Sequence, residues 1–203
     1  MSAVLDAARW IVRARGLGRR FGDRPILSGV DLDLVSGGFL LVTGPNGSGK
    51  TTLMRLLAGL LAPTSGTLEV QAARGRIGFL GHEPLVYGEL TALENLELYG
   101  RLYRVPERRE RSGMLLERFG IWEARGVPVS SLSRGMLQRL ALCRALLHDP
   151  ELLLFDEPFT ALDNDGAELL EAELAGHGAR TVIVASHQPE RLAGYATERL
   201  ALA

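Results

Sequence analysis

One run of eight residues, Gly44-Pro45-Asn46-Gly47-Ser48-Gly49-Lys50-Thr51, constrains this chain more than any other feature. Ahead of it, Phe39-Leu40-Leu41-Val42 is apolar without a break, the profile of a strand buried on both faces. Behind it, Leu53, Leu56, Leu57, Leu60 and Leu61 recur at helical spacing, and Pro63 is expected to stop that helix. A buried strand that turns on closely spaced glycines straight into a helix builds a cradle for an anion. Gly44, Gly47 and Gly49 let successive backbone N–H groups turn inward, and a helix starting near Gly49 aims the positive end of its dipole at the same point. Lys50 adds a compact ammonium; Thr51 and Thr52 add hydroxyls. Of the 23 lysines and arginines, only Lys50 is a lysine. A planar guanidinium does not replace a compact point charge, so the exception marks the site.

The octapeptide, with its strand before and helix after, resembles the P-loop of nucleoside triphosphatases. The resemblance implies that Lys50 lies between the β- and γ-phosphates of ATP and that Thr51 ligates Mg²⁺. Gly44, Asn46, Gly47, Ser48, Gly49 and Thr52 are then expected around the same nucleotide. A second apolar run, Leu152 to Phe155, ends in Asp156-Glu157-Pro158. Alone, that turn could equally cap a surface strand. Beside a P-loop, Asp156 is expected to reach Mg²⁺ through water, and Glu157 to act as general base on the water that attacks in line with leaving ADP.

A P-loop leaves kinases, GTPases and many ATPases open. Leu132-Ser133-Arg134-Gly135-Met136 narrows the choice, because it resembles the signature of ATP-binding-cassette (ABC) ATPases, usually Leu-Ser-Gly-Gly-Gln. Arg134 and Met136 depart from that form; Ser133 and Gly135 keep it. A serine that opens a helix brings its hydroxyl, the nearby N–H groups and the helix dipole to one phosphate. The resemblance implies that this is the γ-phosphate of ATP held by the opposite protomer of a homodimer. It further implies that Thr160-Ala161-Leu162-Asp163 crosses the dimer interface, that His187 is the switch histidine on the γ-phosphate, and that Phe21 stacks on adenine. The fold it implies is an α/β P-loop nucleotide-binding domain with a small antiparallel β subdomain. A helical signature subdomain of about residues 88–148 is inserted in its core, and the whole is expected to be one domain over residues 1–203.

Where such ATPases usually carry a glutamine that contacts Mg²⁺ and the attacking water, this sequence reads Gly81-His82-Glu83-Pro84. The flanking Phe79-Leu80 and Pro84 put His82 in the glutamine's place, and only a neutral imidazole could approach Mg²⁺ there without repulsion. Gly81 to Pro84, then Glu89 to Leu96, then Ser186-His187-Gln188-Pro189 together look like the ATP-binding subunits of the haem exporters of cytochrome c maturation. That resemblance implies an ATPase that powers an exporter whose membrane-spanning part is a separate protein, with the homodimer closing on ATP. An exporter of drugs or lipids would use the same chemistry. An ABC ATPase acting on nucleic acid or ribosomes, and a P-loop phosphotransferase on a small molecule, are the more distant readings.

Composition limits the rest. The formal net charge of −1 gives no pull toward nucleic acid or anionic lipid, so no nucleic-acid partner is expected. No apolar run reaches the roughly 18 residues of a membrane span, and Met1 to Trp10 lacks the apolar core of a secretory signal. The single cysteine, Cys143, fits a reducing compartment. The expected location is therefore cytoplasmic, and the exporter resemblance implies a peripheral place on the inner face of the cell membrane.

Further elements are read from pattern. Ile11 to Arg15 and Gly29 to Leu34 alternate as short strands about a turn near Gly22 to Pro25. Ile77 to Leu80 and Val182 to Val184 are further strands, the latter the last clear one. Thr91 and Glu94 have capping-box spacing and open a helix through about Tyr99. Pro106 suits the first turn of the next helix, whose Leu115, Leu116 and Phe119 share a face. A third helix follows Ser133, carries Met136, Leu140, Cys143 and Leu147 on one stripe, and ends before Pro150.

Overall fold

The computed structural model describes residues 9–203. Most of the segment read for a secretory signal lies outside them. Two sheets organise the described residues. In the first, β1 (Trp10–Phe21) and β2 (Arg24–Val35) form an antiparallel hairpin through the expected turn, and β4 (Ser65–Val70) pairs with the other edge of β1. Along β2, Leu27, Val30, Leu32 and Leu34 are buried while Asp31 and Asp33 face outward, the alternation of a half-buried strand. Both hairpin strands run well past the short segments expected from the sequence. In β1, register shifts at Ala14–Leu17 and Leu17–Arg19 absorb Gly16 and Gly18 without ending the pairing.

The second sheet has five parallel strands in the order β5 (Ile77–Leu80), β6 (Leu152–Asp156), β7 (Thr181–Ala185), β3 (Phe39–Thr43) and β8 (Glu198–Ala201). Strands β6 and β7 are buried along their whole length, as a parallel sheet covered on both faces requires. Successive side chains serve two cores. Phe39, Leu41, Leu153, Phe155, Val182 and Val184 face the helices of the signature region. Leu40, Val42, Leu152, Leu154, Ile183 and Ala185 face α1 (Lys50–Leu57) and the antiparallel sheet.

Helix α1 ends earlier than expected, at Leu57. Gly59 takes φ 69°, its N–H bonds to the Leu56 carbonyl and that of Leu60 to the Arg55 carbonyl, which together close the helix with a Schellman turn. Leu60, taken from its spacing as a helical residue, is instead exposed in the following turn. Between β5 and β6 lie α2 (Ala92–Leu102), α3 (Arg108–Arg118) and α4 (Arg134–Leu146), the helical insertion read from the sequence. Pro106 stands just ahead of α3 rather than in its first turn. The stripe of α4 is as expected, with Leu140, Cys143 and Leu147 buried and Met136 packed against them. In the charged stretch Glu107 to Arg111, whose composition is that of a solvated surface, Arg111 donates from its side chain to the Leu147 carbonyl at 2.5 Å and closes the end of α4.

At α2 the capping box is complete: the Thr91 hydroxyl accepts from the Glu94 N–H at 3.2 Å, and the Glu94 carboxylate accepts from the Thr91 N–H at 2.9 Å. Thr91→Ala is expected to lower stability by about 1 kcal/mol, read as a shifted urea midpoint with an unchanged slope. An unaltered midpoint would mean that tertiary packing alone sets this helix start. A fifth helix, α5 (Asn164–Ala175), follows the carboxylate strand.

A candidate nucleotide site at the strand ends

Register decides where the chemistry gathers. Leu80 pairs with Phe155, Asp156 with Ala185, and Ala185 with Val42, so β5, β6, β7 and β3 end in line. The segments leaving those ends, with His82, Glu157, His187 and the glycine loop, converge at one edge, where open α/β sheets place ligands.

The loop is shaped by close approach. Gly44 has φ 149°, and a Cβ there would lie 2.5 Å from the Leu202 carbonyl oxygen and 2.6 Å from the Ser48 hydroxyl. Gly49 has φ 96°, and its Cβ would lie 2.9 Å from the Ile26 carbonyl oxygen. Neither position tolerates a side chain. Lys50 is buried, and its Nζ donates to the carbonyls of Gly44 at 2.8 Å and Pro45 at 3.2 Å. The same ammonium is 3.8 Å from the Glu157 carboxylate.

Glu157 is held from three sides. Its N–H bonds to the Ala185 carbonyl at 2.8 Å, which fixes the chain at the end of β7. Its Oε2 accepts from the His187 N–H at 3.0 Å and lies 2.5 Å from His187 Nδ1. A carboxylate partner makes Nδ1 the protonated nitrogen and leaves Nε2 the acceptor in neutral imidazole. Glu157 adopts φ 52°, a left-handed backbone unusual for a residue with a side chain, and such strain persists only where the surroundings over-determine it.

Asp156 differs from its neighbour. Only 3% of it is exposed, and neither carboxylate oxygen has a hydrogen-bond partner. Burial pushes its carboxyl above the ordinary range; the Thr51 hydroxyl beside it opposes the shift, Glu157 adds to it, and His82 and Lys50 lower it. Ser48 Oγ is likewise buried and unpartnered.

A cavity of about 370 Å³ brings together Phe21, Asn46, Gly47, Gly49, Lys50, Thr51, Thr52, Asp156 and Glu157. Gly44 and Ser48 pack within its loop, and His187 joins through Glu157. His82 is exposed and lines an adjoining cavity of about 310 Å³ that shares Asp156 and Glu157. Three expected residues stand elsewhere. Ser133 caps α4, its hydroxyl accepting from the Met136 N–H at 3.2 Å, and Gly135 follows it in the first turn. Asp163 caps α5 through the Gly166 N–H at 2.9 Å and pairs with Arg139, whose guanidinium holds its carboxyl below the ordinary range. Two cavity residues were missed from sequence: Arg24 and Ile26 enter through the β1–β2 hairpin, where Arg24 pairs with Phe21. Nothing local to them signals a ligand; only the hairpin register does.

This arrangement, a glycine cradle with a buried lysine facing two strand-end carboxylates beside a helical insertion, defines a nucleotide-hydrolysing P-loop domain. Residues 27–160 match the family model described as ABC transporter, and the chain belongs to that family: it binds ATP and is an ABC-type ATPase. It is 42% identical over 190 residues to the cytochrome c biogenesis ATP-binding export protein CcmA of Pseudomonas syringae pv. tomato, covering 88% of this chain and 89% of that protein. It is 40% identical over 189 residues to the daunorubicin resistance ATP-binding protein DrrA3 of Streptomyces coeruleorubidus, covering 86% of this chain but 60% of that protein. Among solved structures, a dimeric ATP-binding cassette in a post-hydrolysis state bound to ADP and Pi superposes with a TM-score of 0.82 at 28% identity, covering 95% of this chain and 94% of that one. Among the described residues, no helix is long and apolar enough to cross a membrane.

Proposed function

We propose that this chain is the ATP-hydrolysing subunit of an exporter, working as a single domain on the inner face of the cell membrane through a separate membrane-spanning subunit, in haem export for cytochrome c maturation. The chemistry rests on one observation, the succession Lys50, Glu157, His187 facing the glycine cradle. The likeness to CcmA over nearly its whole length supports the cargo.

The residues divide the work. Backbone N–H groups of the loop and the start of α1 receive the phosphates, and Lys50 turns its ammonium from the loop carbonyls onto them. Glu157 takes the proton of the attacking water, while His187 holds that carboxylate in place and, when both of its ring nitrogens carry a proton, donates from Nε2 to the γ-phosphate. The two unpartnered oxygens of Asp156, beside the Thr51 hydroxyl, fit Mg²⁺, which when bound neutralises charge on the transferring phosphoryl group. No cluster of three or more His, Cys, Asp or Glu side chains suited to a metal occurs among the described residues, and Mg²⁺ shared between one carboxylate and the substrate phosphates needs none. His82 stands at the edge of that group.

Ser133 and Gly135 lie outside the cavity of their own chain, at the start of a helix with free N–H groups. They therefore serve the γ-phosphate of a second copy, with the loop ending at Asp163 between the two. ATP closes the pair, and loss of the γ-phosphate contacts on hydrolysis releases it. The exposed Leu85 and Tyr87, between the His82 loop and α2, receive the membrane subunit.

The deciding experiment is purification of the Glu157→Gln chain with Mg-ATP from membranes of the source organism, followed by identification of partners and an absorbance scan. A multi-span partner carrying haem is the expected result. A multi-span partner without haem keeps the exporter and turns the cargo toward drugs, as the likeness to DrrA3 would suggest. Recovery with ribosomes or nucleic acid alone would overturn the exporter.

A further inference from the structure

Phe21 closes β1 and lines the nucleotide cavity; Arg19, two residues earlier, does not. Yet the Arg19 guanidinium carbon sits 4.6 Å from the centroid of the Phe21 ring. An aromatic ring has two π faces. The cavity is lined by Phe21 without Arg19, so the guanidinium lies on the ring outside the cavity. The cation is itself anchored: its Nη1 donates to the Ala62 carbonyl at 2.9 Å, in the segment that follows α1. Its Nε is buried and has no hydrogen-bond partner, so stacking on the ring is what that edge of the group has in place of a polar contact. Backbone bonds tie the same two segments together, with the Thr64 N–H on the Gly18 carbonyl at 2.9 Å. The ring is thus braced by a group fixed to the segment that follows α1, the helix that starts in the phosphate loop.

We infer that Arg19 is a nucleotide-positioning residue, whose guanidinium on the back face of Phe21 fixes the ring and strengthens its stack on the purine base at the front face. This rests on the reading that Phe21 stacks on adenine. The physical argument has two parts. A cation on one π face draws electron density toward itself and leaves the other face a better partner for an electron-rich base. A ring already held in its pose also loses little freedom when the base arrives. A purely structural tie to Ala62 would instead alter the binding of every phosphate ligand alike.

The test compares ATP with tripolyphosphate, which has the phosphates and no base, by calorimetry on the full chain. Arg19→Met keeps most of the apolar stem and removes the cation. It is expected to weaken ATP about two- to fivefold while leaving tripolyphosphate unchanged, with KM raised and kcat preserved. Arg19→Lys should recover part of the loss, because it restores the charge but not the planar stack. Phe21→Ala should weaken ATP on the order of tenfold and abolish any further effect of Arg19→Met. Equal weakening of ATP and tripolyphosphate by Arg19→Met would overturn the inference in favour of a structural tie. If Phe21→Ala weakens ATP but Arg19→Met does not, the inference fails and the role of Phe21 stands. If Phe21→Ala leaves ATP binding intact, the role of Phe21 fails and the inference with it.

Discussion

Glu157→Gln is expected to lower ATP turnover by about 10²- to 10⁴-fold while leaving ATP affinity within about threefold, since uniform binding contacts are untouched. The amide matches the carboxylate in shape and still accepts from the His187 N–H, so the strained turn at φ 52° and the end of β7 keep their form. What disappears is basicity. Lys50, 3.8 Å away, loses a counter-charge as well, which favours phosphate rather than opposing it. Phosphate-release kinetics and a nucleotide titration on the same preparation separate the two effects. A turnover loss below tenfold would assign proton removal to another group. His187→Ala provides the internal check, because a histidine that only orients Glu157 should cost less than the loss of the base itself.

The second large effect is structural in origin. Gly44→Ala would force a Cβ to 2.5 Å from the Leu202 carbonyl oxygen and 2.6 Å from the Ser48 hydroxyl, at a φ of 149° that side chains avoid. The hydroxyl can rotate; the Leu202 carbonyl, just past β8 in a residue whose own N–H is bonded to the Thr43 carbonyl, cannot. Destabilisation of about 2–4 kcal/mol and a loss of ATP affinity of more than about tenfold are expected. Gly47→Ala is the contrast, since its φ of 85° is also left-handed but its Cβ meets open space. That variant should lose about 1–2 kcal/mol from backbone strain alone. Urea unfolding of both variants decides. Equal destabilisation would show that backbone conformation, and not the approach of Leu202, governs the loop.

Much of the site was legible because its chemistry is written in short contiguous segments. The glycine loop needs neighbours along the chain to shape its N–H groups, and Asp156 and Glu157 need a buried strand to carry them. Both demands leave local patterns. His82 was placed by the residues on either side of it. Other features had no such record. Strands β4 (Ser-Gly-Thr-Leu-Glu-Val) and β8 (Glu-Arg-Leu-Ala) are short and half exposed, so neither shows a clear apolar period. The end of α1 was misread because Leu60 and Leu61 extend the helical spacing past a glycine that adopts the left-handed turn. Asp163, read for an interface role, also caps α5 through the Gly166 N–H, a task its spacing to that glycine could have signalled. Arg24 and Ile26 reach the cavity only through pairing across a hairpin, a long-range consequence that no single window of sequence contains.

The order of the parallel sheet bears on how this molecule comes into being. Strand β3, which delivers the phosphate loop, is hydrogen-bonded on one side to β7 and on the other to β8. Both flanking strands come from the last part of the described chain, as does Leu202, whose carbonyl packs on Gly44. During synthesis the loop and α1 emerge early and then wait, without sheet neighbours, while the signature helices are made. Closing so long a span carries a large entropic barrier that no local contact offsets in advance. The sheet around the nucleotide cradle is therefore among the last parts to be completed. A nascent or truncated form lacking β8 and Leu202 has the motif without the neighbours that close one edge of β3 and pack on Gly44.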